Sequence, residues 1–255
     1  MTSLGFLYPE GAAADDYVRV EQLLGGGIRL HAVRAAPASV DASDPAATAP
    51  DGPGPALTAL PVPPDGERLA PAVEELRLAG AEALVWAGPG FALGQEGALA
   101  QVRALALAAG LPASSTSFAF AHAVRELGVE RLAVAPVYGP ELTERFARFL
   151  TAESGARVVS APSATGNPAP ADGLTALTEL ARAADVPEAT AVLLPGTPLR
   201  TAAHLTALEQ HLGKPVLTAN QVTVWEALRL TDRRVNAPRL GALFTREPLV
   251  QMPAD

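Results

Sequence analysis

The chain has 255 residues, a formal net charge of −8 and no cysteine. That length admits one large or two small domains with real cores. The acidic balance argues against nucleic acid or an anionic membrane as the main partner, and the missing thiols exclude disulfides, thiolate metal sites and cysteine nucleophiles. At 49% hydrophobic and 18% charged, with 22 Gly and 24 Pro, the composition is globular over most of the length.

The amino terminus carries no basic n-region and no small-residue cleavage site, and no apolar run reaches the roughly 18 residues of a membrane span. A cytoplasmic location is therefore the expectation. In chain order, the apolar runs predict strands at Leu4–Tyr8, Ile28–Val33, Ala83–Ala87, Leu132–Ala135, Arg157–Ser160, Ala191–Leu194 and Pro215–Leu217. Between them, amphipathic stretches predict helices at Ala14–Leu24, Glu67–Leu78, Glu96–Ala109, Ser117–Leu127, Glu141–Glu153, Leu174–Ala184, Leu199–Leu212 and Gln221–Leu230. Glycines at positions 25, 80, 110, 128, 155 and 213 follow these helices as C-caps do. Such alternation predicts an α/β fold of parallel sheets with helices on both faces. Ala35–Asp65, dense in Pro, Ala, Asp and Gly, reads as a surface insertion, and Ala161–Asp172 as a shorter loop of the same kind. After Thr231 the tail is expected to return to the body through Leu240–Phe244. A weak internal echo links Ala83-Leu-Val-Trp-Ala-Gly88 with Ala191-Val-Leu-Leu-Pro-Gly196.

In open parallel sheets, ligands bind beyond the carboxyl ends of the strands, where helix N-termini point donors at them. The loops at those ends are Pro9–Ala12, Gly88-Pro89-Gly90, Ser114–Ser117, Val137–Gly139, Gly196-Thr197-Pro198 and Thr218–Gln221. They are rich in Gly, Ser, Thr and Asn and poor in Lys and Arg. Neutral donors of this kind suit a small carboxylate or carbonyl oxygen better than a triphosphate. Taken singly, each of Ser117, Thr197 and Asn220 reads more readily as a plain helix N-cap.

Three stretches carry a resemblance. They are Gly110-Leu-Pro-Ala-Ser-Ser-Thr-Ser-Phe-Ala-Phe-Ala-His-Ala-Val-Arg-Glu-Leu-Gly128 with Arg131–Tyr138, then Gly196-Thr-Pro-Leu-Arg-Thr201, and Leu212–Gln221 with Trp225 and Gly241–Phe244. Together they resemble the Asp/Glu racemase superfamily, on the branch of maleate cis-trans isomerase and arylmalonate decarboxylase. The resemblance implies two pseudo-symmetric α/β domains with a carboxylate-binding cleft between them, and no metal or organic cofactor. It places residues 1–113 plus 219–255 in the first domain and 114–218 in the second. A homodimer is an open arrangement, since many relatives of this fold pair.

Relatives of this kind carry one cysteine after a strand in each half. Those positions fall on Gly88, within Ala87-Gly88-Pro89-Gly90 where isomerases show Ala-Cys-Thr-Ser, and on Gly196, within Gly196-Thr-Pro-Leu-Arg-Thr201 where they show Cys-Thr-Asn-Leu-Arg-Thr. Arylmalonate decarboxylases also have Gly at the first position but keep the second Cys as proton donor. The early Asn of maleate isomerases falls about where Ala12 stands. Glycine neither transfers a proton nor attacks carbon, so thiol chemistry of the usual form is closed to this chain. The two glycines are expected to leave room for a bulkier ligand.

Any surviving catalysis needs another acid or base. Glu10, after the first strand, is the first candidate, against the alternative of a solvated loop carboxylate; Tyr138 is the second, as a donor to a carboxylate or a proton source. Gly88, Pro89, Gly90, Ser117, Gly196, Thr197, Asn220 and Gln221 are the candidate substrate-binding residues. Asp15 and Asp16 fit a plain dipole role in a helix's first turn. His204 and His211 share a helix face without further ligands at metal spacing, His122 reads as core or as support for the site, and His31 is a candidate to face the cleft. Lys214, the one lysine, reads as a turn residue. Three readings stay open: a cofactor-free lyase or isomerase acting by proton transfer, a non-catalytic binder of a small acid, and a structural subunit pairing with a thiol-bearing homologue.

Overall fold

A computed structural model describes residues 1–9, 11–35, 66–164 and 173–245, without the side chains of 66–68. The Pro-rich insertion beyond Ala35, most of the loop near 165–172, the last ten residues and Glu10 lie outside the described residues.

Among the described residues, eight strands form two four-stranded parallel sheets. In the first, β1 (Thr2–Tyr8), β2 (Ile28–Arg34), β3 (Ala83–Trp86) and β4 (Ala113–Ser115) lie in the order β2-β1-β3-β4. In the second, β5 (Arg131–Val134), β6 (Arg157–Ser160), β7 (Ala191–Leu194) and β8 (Val216–Thr218) lie in the order β6-β5-β7-β8. The two orders are the same pattern, so the chain is built twice over, and two α/β units of this kind are what the sequence predicts. The helices are α1 (Ala14–Leu24), α2 (Gly66–Leu78), α3 (Gly94–Ala109), α4 (Thr116–Leu127), α5 (Pro140–Ser154), α6 (Gly173–Arg182), α7 (Leu205–Leu212) and α8 (Ala219–Leu230).

Side-chain alternation on β1 sends Phe6 to the core shared by both halves and Leu7 to a second core beneath α2 and α3. The shared core runs from Leu4, Phe6 and Val85 of the first half to Leu132, Val192 and Leu193 of the second. Helices α4 and α8 seal it: they pack on each other, α4 also against α5, and α8 back against α1 and β3. Trp86 belongs to the second core with Leu69, Val73, Leu76 and Leu105.

Two elements differ from expectation. Strand β4 reads as loop in sequence because it is three residues long and two of them are serines; its partners on β3, through the register Leu84↔Ala113 to Trp86↔Ser115, make it a strand. Helix α7 begins at Leu205, six residues late, because the Thr201 and Ala202 amides donate to the Asp16 carboxylate instead of starting a helical ladder. The tail returns as expected, with Leu240, Leu243 and Phe244 buried in two short 3₁₀ turns.

Candidate functional site

The strand order reverses between β1 and β3 in one sheet and between β5 and β7 in the other. Ligands of open parallel sheets bind at such switch points. Here the loops after β3, β4, β5 and β7 close on one cavity, lined by Gly88, Pro89, Thr116, Ser117, Tyr138, Pro195 and Thr197 and floored by Phe91, Phe120 and Phe146. Its volume is ≈ 10 Å³, the room of about one water. Two larger grooves, ≈ 490 Å³ and ≈ 620 Å³, run along the outer strands β2 and β6, away from the switch points.

The register makes the pseudo-symmetry concrete. Trp86 pairs with Ser115 in the first sheet and Leu194 with Thr218 in the second. Gly88 and Gly196 therefore stand at the same place in the two halves, each two residues past its strand. The room expected there is already taken. A Cβ on Gly88 would lie 2.7 Å from Trp86 Nε1 and 2.9 Å from Cε2, and one on Gly196 would lie 3.2 Å from two carbons of Leu199.

Tyr138 is buried and its hydroxyl donates to the Pro195 carbonyl at 2.8 Å. Burial pushes its pKa up, so it stays a neutral donor and makes a poor base. To serve a ligand as donor, its proton must leave Pro195. Ser117 accepts from the Phe91 amide at 2.9 Å. Thr116 shares a 2.7 Å hydrogen bond with Thr223 of α8, and the hydroxyl of buried Tyr17 faces Thr223 from α1.

Of the residues singled out in sequence, Gly88, Pro89, Ser117, Tyr138 and Thr197 come together on this cavity, with Gly90 beside Ser117 and Gly196 between two wall residues. Asn220 and Gln221 lie behind the wall. The Asn220 amide donates to Asp16 Oδ2 at 2.9 Å and to the Leu199 carbonyl, while Gln221 accepts from the Thr218 amide and donates to Leu240 O. Glu10 is outside the described residues; nearby, the Ala13 amide donates to the Thr197 carbonyl at 3.1 Å. His31 lines the outer groove on β2 and not the cleft, because β2 is the edge strand farthest from β4.

Sequence reasoning gave Asp15 and Asp16 too little. Asp15 accepts from Arg200 Nε at 2.7 Å, and buried Asp16 accepts from the Thr201 and Ala202 amides and Asn220. These contacts fasten α1 of the first half to the turn after β7 of the second. Desolvation raises the Asp16 pKa, with the Asn220 and backbone hydrogen bonds opposing. The Arg200 hydrogen bond holds Asp15 low.

Glu226 was missed as well. It is wholly buried on α8, with His122 Nδ1 2.9 Å from Oε1 and Arg229 donating to both oxygens. Burial alone would raise its carboxyl, but the hydrogen bonds from Arg229 and His122 outweigh it and bring the pKa to about 2. A signal was present: Asn220, Thr223, Glu226 and Arg229 recur every third residue, a polar stripe on a helix that is apolar elsewhere apart from Gln221. Lys214 donates to Asp185 and to the Val186 carbonyl, tying a turn. Among the described residues no group of three or more His, Asp or Glu is placed to hold a metal ion, and no helix is long and apolar enough to cross a membrane.

Comparison with known proteins agrees with this architecture. An arylmalonate decarboxylase from Bordetella bronchiseptica is 34% identical over 145 residues, 54% of this chain and 59% of that protein, so the chain spans less than two thirds of this relative. A crystal structure of arylmalonate decarboxylase superposes with a TM-score of 0.70 at 23% identity, covering 96% of this chain and all of the other. A maleate isomerase from Pseudomonas putida gives 0.72 at 18% identity, over 96% and 98% of the two chains. At such identities these two likenesses speak for the fold. The family model for arylmalonate decarboxylase matches residues 66–244, from α2 through the last 3₁₀ turn. The chain belongs to the arylmalonate decarboxylase family.

Proposed function

We propose that the protein is a cofactor-independent, decarboxylase- or isomerase-like enzyme that acts on a small carboxylate or carbonyl compound by proton transfer without a thiol. The observation that carries this reading is the convergence of four hydroxyl-bearing residues, Thr116, Ser117, Tyr138 and Thr197, on one cavity at both switch points, with no charged residue in its lining. Neutral hydroxyls around a water-poor cavity stabilise an enolate-like oxyanion as it forms. Glu10 is assigned the proton transfer and Tyr138 the hydrogen bond to the oxyanion. In a decarboxylation, the electrons of the breaking C–C bond pass into the enolate, carbon dioxide leaves, and the protonated Glu10 carboxyl gives its proton to the enolate carbon and is recharged from solvent. Asn220 and Gln221 act on the ligand through the loops they hold. Cytoplasmic location and the division into 1–113 plus 219–255 and 114–218 belong to the same reading. Turnover of phenylmalonate or maleate should fall at least tenfold in Tyr138→Phe and in Glu10→Gln with the fold intact; full activity in both overturns the assignment.

A second reading, a binder without catalysis, is favoured by one observation. Trp86 occupies the place where a side chain at Gly88 would begin, and Leu199 crowds the one at Gly196. A binder shows saturable stabilisation by the acid without product.

A further inference from the structure

In the second half, the buried side chains at the head of α8 are engaged: the Thr218 hydroxyl with Thr201, Gln221 with the Thr218 amide, and Asn220 with Asp16. The equivalent place in the first half is left open. Ser115, at the N-cap of α4, corresponds to Thr218 through the strand registers. It is wholly buried, makes no capping bond, and its hydroxyl has no partner. The reason is local: the residue three positions on, which is Gln221 in α8, is Phe118 in α4 and has nothing to offer. Beside Ser115 the side-chain amide of Gln101 on α3 is also buried and unpartnered at both its oxygen and its nitrogen. These groups meet at Gly90. A Cβ built there lies 3.1 Å from the Gln101 amide and 3.5 Å from both Ser115 Oγ and Ser117 Oγ.

Native proteins rarely bury polar groups without partners, and a cluster of them that adjoins the cleft through Ser117 calls for one. We infer that Ser115, Ser117 and Gln101 form a specificity pocket, opened by Gly90, for a neutral substituent that both donates and accepts hydrogen bonds, a hydroxyl or a primary carboxamide, carried next to the ligand's carboxylate. The inference rests on the carboxylate reading of the cleft and names its substrate class. Two hydroxyls and an amide offer donors and acceptors together and no cation. A second carboxylate would have to be desolvated there without a counter-charge, whereas a hydroxyl or carboxamide satisfies both kinds of group at once. Ser117 lines both the pocket and the main cavity, so one ligand reaches both.

The test is calorimetric titration of the full chain with malonate, 2-hydroxymalonate and malonamate. The wild type binds at least one of the last two tenfold or more tighter than malonate. Ser115→Ala, which removes only an unpartnered hydroxyl, abolishes that preference and leaves malonate affinity within about threefold, and Gly90→Ala, which fills the pocket, abolishes the preference as well. Ser115→Ala keeps the wild-type melting temperature, so loss of the preference is not loss of the fold. Malonate binding without preference, or a preference that survives both variants, overturns the pocket and leaves the carboxylate reading standing. No binding of any of the three overturns both.

Discussion

Asp16 satisfies donors from three places, the Thr201 and Ala202 amides and the Asn220 side chain, all of them buried. Removing the carboxylate strands these groups, and each stranded buried group costs about 1–3 kcal/mol. Asp16→Ala is therefore expected to lose about 2–4 kcal/mol in urea unfolding, against a few tenths for Asp15→Ala, whose ion pair with Arg200 is exposed. Equal losses would deny Asp16 its fastening role. Glu226 gives the pH dependence. Its folded pKa of about 2 lies below the ordinary 4.5, so its contribution is full above about pH 4.5 and is lost as pH falls through 2. Asp16, raised in the fold, works in the opposite direction, favouring the folded state as it takes up its proton. Glu226→Gln should cost on the order of 3 kcal/mol at pH 7 and flatten the loss of stability below pH 4.5. An unchanged acid profile would contradict the geometry around His122 and Arg229.

At the scale of elements, the strand ends decide what the two glycines permit. A side chain on Gly88 collides with the rigid, buried Trp86 indole, whereas one on Gly196 meets Leu199 at a distance a small shift relieves. Gly88→Cys is expected to destabilise by about 1–3 kcal/mol and Gly196→Cys by less than 1, measured as urea midpoints of the two variants. The reverse order would mean that Trp86 yields more easily than Leu199. Sequence reasoning found both glycine positions but expected open space, since a missing side chain says nothing about which neighbour fills its place. Seven strands and most helices were legible because apolar runs and terminal glycines mark them. Strand β4 and the turn before α7 were not, as their shape comes from partners distant in sequence: β3 for one, Asp16 for the other.

For the whole molecule, the two halves share one core and one sheet order, and their switch points face a single cavity. The pairing of Gly88 with Gly196 was visible in sequence as a faint echo and becomes plain in the registers. A cavity of ≈ 10 Å³ holds no organic acid, so ligand entry must part the loops of the two halves. Trp86, with its indole N–H buried and unpartnered beside Gly88, reports that opening. In a Trp225→Phe background, a bound carboxylate should change the emission of Trp86 saturably; constant emission at saturating ligand, with binding proved calorimetrically, would mean the cleft admits ligands without moving.

The most direct measurement of the central claim, proton transfer to a small carboxylate in a thiol-free cleft, is proton NMR in D₂O with maleate, arylmalonates and β-keto acids. The account predicts a deuterated product, an isomerised alkene or a decarboxylated acid with its new C–H position labelled, from a chain that holds no cysteine. Unchanged spectra across the panel, with every ligand line as sharp as in buffer, would contradict both the chemistry and the carboxylate site.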